Sequence, residues 1–489
     1  MKQTSIKTNF AYQMIYEILI LILPFVTSPY IARVVGAEGL GIYSYSYSVA
    51  YYFVLFSLLG IKNYGNREIA KAKSSQKLLN RTFSEIFIVH AFFSVLCVVI
   101  YIAYLVLISG NKLYAIVMLP YVISGFFDIS WFYFGIEKFK VTVLSNTLTK
   151  VLTVICIFVF VKQPDDLWCY CLIMAIGFLL GQLILWIPLR RYVRFVPVSL
   201  SEIKIHLKPL LILFIPAIAV SLYKYMDKIM IGMLNTNEQL GFYENAEKVI
   251  NLPVTVIASF GTVMLPKMSS IILTKDTKHT LRYITLSMSF VMCLAFGLAF
   301  GLMGVGKIFA IIFWGKSFEQ SGILIMGLAT TIPFVAFANV IRTQYLIPNS
   351  KDREFVFSVI MGAVVNLIIN RILIPGFGAK GAMMGTIVAE ITVCAIQTAF
   401  VKKQLPVMTY IKECLFFLIP GMLMGTLVYY IGLVNGVHIS TLFVQVFIGG
   451  ATYMAFAIAY YVRRKNPIVI DSFNKGAKFI RHIFKLDSK

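Results

Sequence analysis

Residues 211–266 read LILFIPAIAVSLYKYMDKIMIGMLNTNEQLGFYENAEKVINLPVTVIASFGTVMLP. Two apolar runs flank a polar hinge at 235–239. Lys224, Asp227 and Lys228 lie inside the first run, and Glu244, Glu247 and Lys248 inside the second. Charge inside runs of this length is costly in a bilayer, so it is expected to face protein and to mark a path for a substrate or ion. The stretch also has an earlier counterpart. EQLGFY at 238–243 echoes EGLGIY at 38–43, displaced by 200 residues, and Pro216 and Pro24 precede the two copies at similar distances. An internal repeat in an apolar chain points to a transporter.

Composition agrees. Of 489 residues, 59% are hydrophobic and 13% charged, and the mean hydropathy is +0.83. No soluble fold of this length hides that much apolar surface. Met1 to Asn9 is a short basic lead. The apolar run after it is too long for a signal peptide, so the first helix is expected to be retained.

A spanning helix needs about 20 apolar residues. Fourteen such runs are legible, at 11–32, 40–61, 83–108, 113–135, 141–161, 168–189, 209–234, 240–265, 283–304, 322–346, 355–374, 381–401, 414–433 and 440–462. The lead, alternate loops and the tail carry 32 of the 44 Lys and Arg, the opposite loops 6, and the spans 6. That asymmetry explains the net charge of +23 better than nucleic-acid binding does, and it places both termini in the cytoplasm. Six helices separate the repeat copies, so both enter from one side and their pseudo-two-fold runs along the membrane normal. The expected fold is all-α and integral to the membrane, with two six-helix bundles, residues 1–195 and 196–405, and two additional helices at 406–462. Residues 463–489 read as a basic amphipathic tail lying on the anionic inner leaflet. Pro24, Pro29, Pro216, Pro253 and Pro333 fall inside spans, where they weaken helices and can bend them.

The spans hold the cations Lys150, Lys224, Lys228, Lys248, Arg342 and Arg371, and the acids Glu17, Asp128, Asp227, Glu244, Glu247 and Glu390. Lys224, Asp227 and Lys228 share one helix face, and Glu244 with Lys248 has the favoured order for an ion pair. Lys228 has no acid three or four residues after it, and Lys150 and Arg342 have none in helical reach. Each therefore needs a partner from another helix or an anion from outside. The candidate substrate-binding residues are Lys150, Lys224, Lys228, Lys248, Arg342 and Arg33, the last at the end of the first span. Asp128, Asp227, Glu244 and Glu390 are the candidate cavity acids for proton or sodium coupling. Arg371 reads as an interfacial anchor. Tyr43, Tyr45, Tyr47, Tyr51 and Tyr52 crowd the second span without an evident single stripe.

Catalytic signatures are missing from the sequence. It contains neither GxxxxGK[ST] nor HExxH, and His90, His206, His279, His438 and His482 are scattered. No resident cofactor or metal is expected, and the chain is not read as an enzyme. The seven cysteines lie in or beside apolar runs. Cys169 and Cys171 lack metal-ligand spacing, so they read as small packing residues.

Several stretches together resemble bacterial polysaccharide flippases of the Wzx type, in the superfamily of the MATE exporters and lipid II flippases. They are LPFVTSPYIARVVGAEGLGIYSYSYS at 23–48, LGIKNYGNREIAK at 59–71, DISWFYFGIEKFK at 128–140, MDKIMIGMLNTNEQLGFYENAEKV at 226–249 and GFGAKGAMMGTIVAE at 376–390. The resemblance implies a MATE-like pair of lobes around a cavity. It also implies translocation of an undecaprenyl-pyrophosphate-linked oligosaccharide repeat unit from the inner to the outer leaflet, for capsule or exopolysaccharide synthesis. The expected partners are that lipid-linked oligosaccharide and the bilayer of the bacterial inner membrane. The expected state is a monomer, with a polysaccharide polymerase as a candidate partner and no nucleic acid. The alternative is a proton- or sodium-coupled multidrug exporter of the same fold, with an acidic, aromatic cavity. A membrane glycan polymerase or acyltransferase is a more distant rival, because the outer loops are short.

Overall fold

The computed structural model describes residues 6–107, 110–274 and 276–463, with the side chains of 6–22, Pro216 and Tyr223 excepted. Of the tail expected at 463–489, residues 464–489 lie outside them. Among the described residues the regular structure is helical: α1 Ile6–Leu58, α2 Ile61–Ala72, α3 Gln76–Leu107, α4 Lys112–Val117, α5 Leu119–Phe127, α6 Ser130–Gly135, α7 Phe139–Phe160, α8 Leu167–Trp186, α9 Leu200–Leu234, α10 Asn237–Leu273, α11 Thr277–Trp314, α12 Glu319–Leu328, α13 Ile332–Ile341, α14 Asp352–Phe377, α15 Ala379–Val401, α16 Val407–Asn435 and α17 Ile439–Arg463. Thirteen described segments are long and apolar enough to cross a membrane. The first includes a kink in α1 at Gly36, whose φ of +71° breaks the helix into two arms. Counting the arms separately gives the expected fourteen. Only glycine takes that backbone geometry without strain.

Three segments differ from the sequence reading. The span expected at 113–135 is three short helices. Pro120 starts the second of them, and Asp128, with extended backbone, ends it. The loop expected after residue 61 is largely helical, because α2 is amphipathic and buries Ile61, Tyr64, Gly65, Ile69 and Ala72. The basic stretch from Lys267 to Arg282 is helical as far as Leu273 and again from Thr277, since a polar extension of a spanning helix leaves no hydropathy signal.

Two compact units emerge from the packing. One comprises Met1–Asn245, Phe313–Phe318 and Val359–Ala389; the other comprises Ala246–Ile312, Glu319–Ser358 and Glu390–Lys489. In the first, a core of Phe83, Trp131, Phe132 and Tyr133 joins α2, α3, α6 and α9. Leu59 (φ +43°) and Gly60 (φ +77°) are both left-handed and turn the chain sharply from α1 into α2. Gly65 then lies against the Trp131 ring and Gly135 against Ile69, so α2 and α6 cross closely. In the second unit, Tyr453 on α17 donates a 2.6 Å hydrogen bond to the Cys293 carbonyl of α11. Gly304 of α11 meets Val428 of α16.

Candidate functional site

The first unit brings together two sets of residues that the sequence separates by about 180 positions. On the second arm of α1, Tyr43, Tyr47 and Tyr51 recur every four residues. Four-residue spacing is one helix face, so they form the stripe that the crowding of tyrosines in this span conceals. Tyr47 stacks on Tyr121 of α5, with centroids 5.0 Å apart, and Tyr51 stacks on Tyr225 of α9 at 4.0 Å. Tyr43 lies 4.8 Å from Tyr170. The Tyr225 ring is flanked by two amines, Lys224 Nζ at 5.8 Å and Lys228 Nζ at 5.5 Å from its centroid. Cations near an aromatic face are attracted by the ring quadrupole.

The two lysines differ. Lys228 is buried and meets Glu244 Oε2 of α10 at 2.7 Å, with about a tenth of each side chain exposed. Ser44 donates to the same oxygen at 2.8 Å. The partner that Lys228 lacks along its own helix therefore comes from α10. Lys224 is exposed, and no carboxylate pairs with it among the described residues. The face that Lys224, Asp227 and Lys228 were expected to share thus splits into one open cation and two buried, partnered groups.

Asp227 is a junction. Its carboxylate accepts from Tyr243 of α10 at 2.7 Å, Asn370 of α14 at 2.6 Å and Thr386 of α15 at 2.8 Å. Three donors from three other helices satisfy a buried charge that would otherwise be costly.

The Gly36 end of the α1 stripe is closed by the repeat itself. Gly41 lies against the carbonyl of Asn237, and Gly241 against the carbonyl of Ala37. A methyl group at either glycine would overlap that oxygen. The contacts are reciprocal at an offset of 200, and Ser44 with Glu244 has the same offset. Reciprocity of this kind is what a two-fold axis passing through the contact produces.

At the other end of the stripe, Lys62 of α2 pairs with Asp128 Oδ2 at 3.3 Å. Ser130 donates to Asp128 Oδ1 from its hydroxyl at 2.6 Å and from its N–H at 3.1 Å, so Asp128 also starts α6. Lys62 reads from sequence as part of a cytoplasmic basic run. Its amine instead lies within electrostatic reach of Tyr51 and Tyr47 as well as Asp128.

The remaining candidates are dispersed. Arg33 is exposed and donates to the Phe313 carbonyl at 3.3 Å. Lys150 is half-buried on α7, and Arg371 is exposed on α14. In the second unit Lys248 and Glu247 are half-buried on α10. Arg342 opens a π-helical turn, Arg342–Leu346, with its guanidinium 5.4 Å from the Phe355 ring centroid and under the influence of the Glu390 charge. Such turns interrupt the regular helix and expose backbone groups locally. The described residues contain no His, Cys, Asp and Glu cluster suited to a metal.

A family model described as polysaccharide biosynthesis protein matches residues 6–272. The chain belongs to that family. A provisionally named O-antigen transporter of Shigella dysenteriae is 24% identical over 396 residues, covering 78% of this chain and 96% of its own. One from Escherichia coli K12 is 22% identical, covering 81% and 97%. Among solved structures, the lipid II flippase MurJ in an inward closed conformation superposes with a TM-score of 0.78 at 16% identity, over 94% of this chain and all of that one. An inward-facing MATE multidrug transporter superposes with 0.61 at 14% identity, over 83% and 96%. The Wzx-type resemblance read from the sequence holds, and the fold is the all-α, MATE-like membrane fold.

The family match covers the tyrosine stripe, the cations of α9 and the Ser44–Glu244 contact. It stops before Arg342, Asn370 and Thr386.

Proposed function

We propose that this protein is a flippase for lipid-linked polysaccharide units, carrying an undecaprenyl-pyrophosphate-linked oligosaccharide across the bacterial inner membrane. The observation that carries this reading is the exposed Lys224 amine beside the stacked Tyr51 and Tyr225 rings, on an otherwise apolar helix. An ammonium suits phosphate or an acidic sugar, and aromatic faces suit sugar rings. The O-antigen transporter names of the relatives and the flippase title of the MurJ structure support the same substrate class.

The mechanism we propose is alternating access. With both termini cytoplasmic, the Gly36 end of the stripe is the outer end and Lys62 marks the inner. In this arrangement the reciprocal contacts of Gly41 with Asn237 and of Gly241 with Ala37, with the Ser44–Glu244 hydrogen bond, seal the outer mouth. The headgroup enters from the cytoplasm, and its prenyl tail stays in the bilayer. Rocking of residues 1–195 against 196–405 about the pseudo-two-fold then parts the two glycines and opens the outer side.

The coupled drug-exporter reading is weaker. A cationic drug needs a carboxylate to meet it, and Asp227 and Glu244 are each buried and already engaged. The test is deletion of the gene in its host, with lipid-linked oligosaccharide followed by mass spectrometry. Accumulation of full-length repeat units that an impermeant glycan-binding probe cannot reach supports the proposal. Normal outer-face delivery, with redundant transporters removed, overturns it.

A further inference from the structure

We infer that Lys62 is a substrate ligand, which exchanges Asp128 for a phosphate oxygen of the lipid-linked headgroup at the inner mouth. The inference rests on the flippase reading and adds to it a residue that the charge pattern assigns to a surface loop.

Four observations converge on Lys62. The first is its position. The side chain is 61% exposed and its amine lies 3.3 Å from Asp128 Oδ2, within electrostatic reach of Tyr51 and Tyr47. An exposed amine held by a single carboxylate is placed to meet an incoming anion. The second is that most of its cationic neighbours in sequence are committed elsewhere. Arg67 and Lys71 pair with Glu68, at 3.0 and 2.9 Å, Lys73 pairs with Glu137 at 2.6 Å, and Arg81 pairs with Glu85 and Glu202. Lys62 pairs instead with Asp128, and its charge reaches Tyr51 and Tyr47 of the stripe. The third is that Asp128 can release Lys62 without becoming an orphan charge. Ser130 supplies two donors to its other oxygen, and these remain when the amine leaves. The fourth is the α2 N-terminus. Gly60 provides no side-chain cap there, so the positive end of the helix dipole lies one residue from Lys62 and adds to its pull on an anion.

The exchange is chemically balanced. An ammonium bound to a single carboxylate, largely open to water, trades it for an oxygen of a pyrophosphate diester, which carries two negative charges against the carboxylate's one. As the substrate moves outward along Tyr51 and Tyr47 toward Lys224, Lys62 returns to Asp128. The return neutralises the inner mouth behind the departing headgroup.

A purely structural Lys62–Asp128 pair and an exchangeable one predict opposite signs. The experiment uses the full chain in nanodiscs with farnesyl pyrophosphate as probe, and with farnesol and inorganic pyrophosphate as controls. Asp128→Asn removes the competitor while keeping an acceptor for Ser130, so farnesyl pyrophosphate affinity should rise. Lys62→Gln should lower it about tenfold or more, with Lys62→Arg retaining most of it and farnesol unaffected. If Lys62→Gln alone does not accumulate, the double variant K62Q/D128N removes the unpaired acid. Its affinity should fall about tenfold below that of Asp128→Asn. Acylation of the Lys62 amine, read by mass spectrometry, should be slowed by farnesyl pyrophosphate more than by inorganic pyrophosphate; equal protection would assign the site to free phosphate and overturn the lipid-linked ligand. Unchanged affinity in the double variant relative to Asp128→Asn, or weakening by Asp128→Asn itself, overturns the role of Lys62 and leaves the flippase reading standing. Failure of the wild-type protein to bind farnesyl pyrophosphate at all overturns both.

Discussion

Ser44 donates a 2.8 Å hydrogen bond to Glu244, the residue that holds its own place 200 positions later in the second copy of the repeat. Self-contact between equivalent positions fixes where the pseudo-two-fold axis runs. The glycines three residues earlier, Gly41 and Gly241, let the two helices touch there, each against the other copy's backbone carbonyl.

Substituting Gly241→Ala should therefore disturb this contact more than the added methyl group would suggest. The new Cβ overlaps the Ala37 carbonyl, and backbone cannot yield as a flexible side chain can. The pair S44C/E244C should cross-link in the protein with Gly241 intact, and the yield should drop several-fold in G241A. Peptide mass spectrometry distinguishes this disulfide from any formed by the seven native cysteines. An unchanged yield would mean that the helices approach by another route.

Lys224 and Lys228 should fail differently when truncated. Lys224 is exposed, so Lys224→Ala should leave membrane levels unchanged while glycan export falls about tenfold, the loss of one charge-assisted hydrogen bond. Lys228→Ala leaves Glu244 buried with its cation gone, at a cost of about 3 kcal/mol, and should lower the amount of folded protein. The swapped pair K228E/E244K should recover much of that stability. Gel filtration of the detergent-solubilised variants after a heating step separates the two outcomes.

Much of this was legible before the structure. The 200-residue offset between EGLGIY and EQLGFY announced the repeat, and the same offset turns out to relate Ser44 to Glu244. Apolar run length located most of the helices. Two features escaped for physical reasons. Lys62 lies in a basic run, and hydropathy cannot distinguish a cation on a loop from one on a helix held beside Asp128. Two of the three partners of Asp227 are 143 and 159 residues away on α14 and α15, and no local pattern connects them. The stripe of Tyr43, Tyr47 and Tyr51 was present in the spacing but masked by Tyr45 and Tyr52 on other faces.

Asp227 should behave as a fastener between helices. Asp227→Ala strips the acceptor from Tyr243, Asn370 and Thr386 at once, and should cost about 3 kcal/mol or more. Asp227→Asn should be milder, because its carbonyl still accepts from Asn370 and the two hydroxyls can turn to meet its amide. A comparison of thermal unfolding midpoints in detergent checks the order. A midpoint for Asp227→Asn as low as that for Asp227→Ala would show that the charge itself is required.

Tyr51 should matter for its ring and not for its hydroxyl. Tyr51→Phe should export glycan normally, whereas Tyr51→Ala should lose about threefold to tenfold, the worth of one stacked aromatic contact. Equal loss in both variants would shift the role to the hydroxyl.

The central claim is translocation, and reconstitution tests it most directly. Purified protein in liposomes is given the host's lipid-linked oligosaccharide, fluorescently tagged on the glycan, in both leaflets, and an impermeant reductant then bleaches the outer one. With active protein, bleaching should proceed well beyond the outer-leaflet fraction, and K224A should slow the second phase. Bleaching that stops at the outer leaflet, in vesicles shown to hold folded protein under the same ion gradients, would contradict the account.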